Sequence, residues 1–299
     1  MTAAPDPVAH SVHDRLLRLA ARKRQCLTRR VGGPLVFAAV ALVGVCLLPG
    51  GCTRAPLKAT GPTFTIVTYN VNYAMPQADR TLAALRAADA DIVCLQETTP
   101  AWERRLRSEL GDRYRYMAFR HLAGAGGLGL LSKVPCKELL YHNCAGTWHP
   151  GWLIRADTPA GPVRILNVHL HPAKALCPDG VFRASIRAYF DAIGVRRGQI
   201  EELLDLVSAG PPTLVVGDFN EPEDGRAVTY ARGTRQLRSA LAEFDPWAAT
   251  WQAPRRLFRP QARIDHILYP SSLRCLHAGV VKGGGSDHRP VTAAFEPAR

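Results

Sequence analysis

The run Val215-Val216-Gly217-Asp218-Phe219-Asn220 sets a carboxylate and a carboxamide two residues apart, at the end of the apolar stretch Thr213 to Val216 that follows Pro211-Pro212. A short, mostly β-branched stretch of this kind reads as a buried strand. Residues two apart share one side of an extended chain, so Asp218 and Asn220 emerge together. Hard cations prefer oxygen ligands, and an amide beside a carboxylate can hold a phosphate oxygen without adding negative charge. Alone, the same letters also describe a strand followed by an Asp/Asn turn.

Five further segments repeat the design. Phe64 to Asn72 is a strand pattern ending in two amides, Asn70 and Asn72; Asp91 to Glu97 ends in a carboxylate; Val163 to His169 ends in an imidazole. Arg263 to Leu268 places Asp265 inside an apolar run, and Gly285-Ser286-Asp287-His288-Arg289-Pro290 precedes a last short strand. Each lone histidine could equally be a satisfied structural group. The pattern around His288 favours function.

In this order the six segments resemble the endonuclease/exonuclease/phosphatase superfamily, over about Phe64 to Phe295. The resemblance implies an α/β, four-layer sandwich of two packed mixed β-sheets flanked by helices, and hydrolysis of phosphoesters with Mg2+ or Mn2+. It makes Glu97 the principal metal carboxylate, with Asn70 fixing the metal or the attacked phosphate and Asp287 an outer metal carboxylate. Asp218 becomes the residue that orients or deprotonates water, and Asn220 the amide on a phosphate oxygen. His169 and His288 are donors to the charge that builds on phosphoryl oxygens. Asp265 holds His288, fixing its tautomer and raising its basicity.

One position departs from part of the family: Asn72 stands where apurinic endonucleases carry an aspartate, which weakens an abasic-site nuclease reading. His169 places the chain nearer the histidine-bearing branches, among them secreted nucleases and sphingomyelinases. The segment Gly124 to Gly129 fits G-x-G-x-x-G by letter, yet Leu130 to Pro135 follows as a strand cut off by proline, with Ser132 near its end, and not as a helix. This excludes a dinucleotide fingerprint. Gly283-Gly284-Gly285 lacks the Lys-Ser/Thr of a phosphate loop and reads as a sharp turn before His288.

Positioning elements fall between these strands: helical patterns over Asp79 to Ala88, Pro100 to Leu110 and Val195 to Val207. Motifs at both ends of 59–299 must meet, which calls for one catalytic domain, expected as a monomer. Residues 1–58 form a basic leader. Arg15 to Arg30 carries a cluster of positive charge ahead of the apolar run Leu35 to Leu48, and Val31 to Thr53 is free of charge. That pattern reads as an export signal, cleaved or lipidated near Gly51-Cys52, as a retained signal anchor, or as a buried core helix. The first two put the catalytic domain outside the cytoplasm, attached to the membrane through segment 31–53 or released from it.

Net charge divides along the same boundary: of the total +13, the leader contributes +7 and the remainder +6. A domain at +6 can attract a polyanion or an anionic lipid surface, although a solvated basic surface gives the same number. Cys136 with Cys144, and Cys177 with Cys275, could bridge in an oxidising compartment, and no cysteine pair has zinc-site spacing. Phe182, Arg183, Arg187, Tyr189 and Phe190 could meet a substrate, while Ile186, Phe190 and Ile193 have the spacing of a helix packed on the core. The expected substrate is a phosphoester, either nucleic acid or a phospholipid head group in diesters or a small monoester. A catalytically dead binding protein of the same fold is the non-enzymatic alternative.

Overall fold

Apolar runs become strands here because their side chains find cover on both faces. The computed structural model describes residues 53–144, 147, 149–172, 185–253 and 261–299, with the backbone alone at 185–190. One six-stranded sheet has the order β13 (Leu273–Val280), β14 (Val291–Pro297), β1 (Phe64–Asn70), β2 (Ile92–Gln96), β4 (Leu128–Ser132), β3 (Tyr116–Arg120). The other has the order β5 (Cys136–Asn143), β6 (Pro150–Thr158), β7 (Gly161–His169), β8 (Thr213–Asp218), β12 (Asp265–Pro270), β9 (Leu237–Ser239). A short ribbon pairs β10 (Trp251–Gln252) with β11 (Gln261–Ala262).

Both sheets are mixed, and their parallel pairs decide where chemistry can happen. β1 runs parallel to β2 through the crossover helix α1 (Ala78–Ala88), and β7 runs parallel to β8 through α3 (Ser185–Asp205). Parallel neighbours end at the same edge. The C-terminal ends of β1, β2, β7 and β8 therefore deliver their last residues to one place. Helices α2 (Pro100–Leu110), α4 (Arg226–Arg235) and α5 (Ala240–Phe244) complete the fold.

Four layers result, as the resemblance implied. Phe64, Ile66, Ile92, Ile154, Val216 and Phe295 meet between the sheets. Leu82 and Leu85 of α1 and Trp102 and Leu106 of α2 close the outer face of the first sheet over Val67, Val93 and Leu95. On the second sheet, Ile200, Leu203 and Leu204 of α3 and Val228 of α4 cover Leu166, Val168 and Val215. Each such side chain, fully buried, contributes about 1.5–3 kcal/mol from apolar area alone. Thr99 caps α2, its Oγ1 accepting the Trp102 N–H at 3.2 Å, with Pro100 as first helical residue.

Helices expected over 79–88 and 100–110 are present as α1 and α2. The pattern over 195–207 lies in α3, which begins ten residues earlier at Ser185; Gly194 and Gly198 are poor helix formers and obscure the early turns. Ile193 is half-buried, whereas the side chains of Ile186 and Phe190, and with them Phe182, Arg183, Arg187 and Tyr189, lie outside the described residues. Arg54 and Leu57, which the sequence places in the leader, hydrogen-bond through their amides to the Phe244 and Leu276 carbonyls at 2.8 and 2.7 Å. The candidate span 31–53 lies outside the described residues except for Thr53, and no described helix is long and apolar enough to cross a membrane.

Neither expected disulfide forms, because Cys136 and Cys275 are free thiols. Cys136 opens β5 and Cys144 follows its far end. Eight residues of strand separate their Cα atoms by about 26 Å, against under 7 Å in a bridge. Cys275 is packed between the sheets, where burial pushes its thiol up to about 12. Cys177 lies outside the described residues.

Candidate active site

Strand register builds the centre. Asp218, last residue of β8, stands level with His169 on one side and Asp265 on the other. Asn70 closes β1 level with Gln96, and Glu97 follows directly. All six sequence-derived strand ends meet in the fold, with Asp287 and His288 entering on the loop before β14.

Asp218 is the hub. Its Oδ2 accepts the Asn70 Nδ2 hydrogen at 3.0 Å and faces His169 Nε2 at 3.5 Å and His288 Nε2 at 3.7 Å. Its Oδ1 accepts the Asn220 backbone N–H at 2.8 Å. Both imidazole separations are longer than an ordinary N–H···O hydrogen bond.

The two histidines are oriented by different partners. His169 Nδ1 meets the Ala125 carbonyl at 3.1 Å. His288 Nδ1 meets both oxygens of Asp265, at 3.1 and 3.0 Å, and Asp265 is fully buried. Burial alone would push the His288 imidazole down. The Asp265, Asp218 and Asp287 carboxylates outweigh burial and hold it up at about 10. Burial first, then Asp218, pushes Asp265 up against the pull of His288. The imidazolium beside a buried carboxylate is the state these contacts favour, since both Asp265 oxygens converge on one N–H.

Asn70 Nδ2 also reaches Glu97 Oε1 at 3.0 Å, and the Tyr73 amide reaches Glu97 Oε2 at 3.1 Å. Asp287 is held by Asn72 Nδ2 at 2.9 Å and Trp251 Nε1 at 3.0 Å. Burial pushes the Asp287 carboxyl up, but His288 and these two donors bring it below the usual carboxylate range. Asn220 is only partly available: its Nδ2 donates to the Leu170 carbonyl at 2.9 Å, leaving one amide hydrogen for a phosphate oxygen. Asn72, Glu97 and Asn220 all take left-handed backbone, with φ of 61°, 61° and 51°. For Glu97 that conformation is uncommon, and it aims the carboxylate back at Asn70.

Several supporting residues carry no local signature in the sequence. Ala125 contributes only a carbonyl, so the Gly124–Gly126 turn rejected as a nucleotide loop proves to orient His169. His149 lies across the His169 ring at 4.4 Å and near His171 at 5.9 Å. Burial, then the two neighbouring imidazoles, push it down to about 2, so it is neutral. Gln96 and Asn167 join the sheets beneath the site at 2.7 Å. Arg196 and Glu221 form a buried ion pair at 2.7 Å; Glu221 adjoins Asn220, the one sequence hint. Gly283 and Gly284 adopt φ of 94° and 106°, the sharp turn expected before His288.

A model of the Endonuclease/Exonuclease/phosphatase family matches residues 67–288. The chain belongs to this family. Its fold is shared with ANGEL2, a 2',3'-cyclic phosphatase solved with adenosine-2',3'-vanadate (13% identity, TM-score 0.60, 79% of this chain and 96% of that one). It is shared also with D. rerio TDP2 complexed with single-strand DNA product (16%, 0.59, 78% and 99%) and with the human Nocturnin catalytic domain with bound sulfate (18%, 0.59, 82% and 97%). No curated protein matches the sequence. Family membership makes this chain a phosphoester hydrolase, of a family typically dependent on divalent metal.

Two groups could receive a cation. Asp218, Asp265 and His288 bring one donor atom each within 4.8 Å of one another. There, however, Asp265 is already committed to His288 through both oxygens. Half-buried Glu97 offers carboxylate oxygens beside the buried Asn70 carboxamide, and Asp287 a further carboxylate. This suits magnesium, which binds one or two carboxylates and completes its shell with water and substrate phosphate.

Proposed function

We propose that the chain is an exported, divalent-metal-dependent phosphodiesterase acting on nucleic acid or nucleotide esters. A cavity of about 980 Å³ beside Asp287 and His288 supports the diester reading. Arg80, Lys282 and Arg289 line it, and none pairs with a carboxylate among the described residues. Elsewhere surface arginines are commonly neutralised, as Arg107 is by Glu103 and Arg113 by Asp89. A polynucleotide continues past the scissile phosphate and supplies anions for these cations. Tyr73, next to the lining residue Asn72, is 51% exposed, and Trp247, between Asp245 and Ala248, is 63% exposed; both offer faces to bases.

Glu97, Asn70 and Asp287 would hold magnesium or manganese, which would supply positive charge to the phosphoryl oxygens and acidify water. The protein's own groups do the rest. Asp218 Oδ2, fixed by Asn70, takes the proton of the attacking water as its oxygen bonds to phosphorus and the ester P–O bond breaks. The departing oxygen is protonated from His288 Nε2, and the proton on Asp218 returns across the 3.7 Å between them. His169 and the remaining Asn220 N–H face the charge that develops on phosphorus oxygens.

Export rests on the basic leader and the apolar segment after it, and N-terminal sequencing of protein recovered from membrane and secreted fractions tests it. For the substrate, the purified chain is assayed with magnesium or manganese on plasmid DNA, RNA, sphingomyelin and a bis-aryl phosphodiester, beside the double variant Arg80→Glu, Lys282→Glu. We expect nucleic-acid cleavage that the double variant loses while bis-aryl turnover persists. Sphingomyelin turnover without nucleic-acid cleavage would replace this reading with the phospholipid one.

A further inference from the structure

At the opposite end of β8 from Asp218, a second cavity of about 500 Å³ is lined by Arg164, Arg235 and the loop 208–212. The length of β8 puts it about 17 Å from the hydrolytic centre, five residues at ~3.3 Å each. Arg164 is only 7% exposed. Its Nε donates to Thr213 Oγ1 at 3.0 Å, while Nη1 and Nη2 have no partner among the described residues and are not sealed from solvent. Arg235 gives one N–H to the Leu204 carbonyl. Neither guanidinium pairs with a carboxylate among the described residues, whereas Arg196, Arg232 and Arg274 each do.

The loop is shaped around this charge. A Cβ on Gly210 would sit 3.0 Å from Arg164 Nη1 and 3.2 Å from Cζ, so glycine leaves the space that the guanidinium fills. Burial, then the charge of Arg235, pushes the Arg164 ionisation down. Arginine keeps its proton in proteins, so an anion bound beside these two cations would be stabilised by both. Guanidinium forks match the oxygens of carboxylate and phosphate. Two positive charges are balanced by one phosphate, at about −1.5 to −2 near neutral pH, and only half balanced by a carboxylate. Val207, Leu237 and Pro270 on the walls leave apolar room for a small organic group.

We propose that the Arg164–Arg235 cavity is a phosphate-binding site separate from the hydrolytic centre, taking inorganic phosphate or a small phosphate monoester. Titration calorimetry on the full chain, with inorganic phosphate in one arm and phenyl phosphate in the other, tests it. Two binding events are expected in the wild type. Arg235→Ala, an exposed position, should weaken one of them at least tenfold and leave bis-aryl diester turnover unchanged; Arg164→Met should abolish that event. Tighter phenyl phosphate binding would identify a monoester as the ligand, and equal affinities free phosphate. A single event that survives both arginine variants and vanishes in His288→Ala would overturn the proposal, as would no binding of either compound.

Discussion

His169 and His288 face the same oxygen of Asp218, at 3.5 and 3.7 Å, yet they are backed by unlike groups. Behind His169 stands the neutral Ala125 carbonyl; behind His288 stands the buried carboxylate of Asp265. A carbonyl fixes a ring's orientation without bringing a formal charge to it. A carboxylate fixes the ring and also stabilises the imidazolium. Similar distances are therefore compatible with unequal roles: in the proposed mechanism His288 donates the proton and His169 faces the phosphoryl group.

Replacing the donor should have the largest effect on turnover of a bis-aryl phosphodiester. His288→Ala is expected to lower kcat on the order of 10³-fold, within the range of general acid–base groups. Loss equal to or smaller than that of His169→Ala would break the asymmetry. Asp265→Asn keeps the shape and removes the charge, and should cost about 10²-fold. In metal-free protein followed by NMR, the wild-type His288 ring is expected to stay charged until the pH rises through about 10. In the Asn variant its loss of charge should move toward the ordinary imidazole value of 6.5. An unmoved titration would mean that Asp265 positions the ring without setting its charge.

His169→Asn comes next, with about tenfold to 10²-fold lower kcat, since in the proposed mechanism the lost donor faces phosphate without carrying the transferred proton. Smallest on chemistry is Arg196→Met. Its partner Glu221 would be left buried and uncompensated, which costs about 3–5 kcal/mol of stability in a denaturant titration. Turnover of the protein that remains folded should change little.

The sequence revealed what lies along one strand and concealed what crosses between strands. Apolar runs that stop at Asn70, Glu97, His169 and Asp218 are local signals, and parallel pairing with a common edge turned them into one site. Asp265 stood out as a carboxylate inside an apolar run, and its pairing with His288, implied by the family resemblance, is present in the fold. Ala125 was not legible, since a backbone carbonyl has no side-chain signature. His149, Gln96 and Asn167 likewise acquire their roles only through neighbours remote in sequence. The expected Cys136–Cys144 bridge failed for a related reason: nearness in sequence becomes distance when the segment between is an extended strand.

Asp218, the group both histidines face, is central to the proposed chemistry. Magnesium-dependent turnover of a bis-aryl phosphodiester by the purified protein is predicted to fall at least about 10²-fold in Asp218→Asn, with the thermal midpoint near that of the wild type. Turnover retained in that variant at the wild-type rate would contradict the assignment of Asp218 as the acceptor of the water's proton.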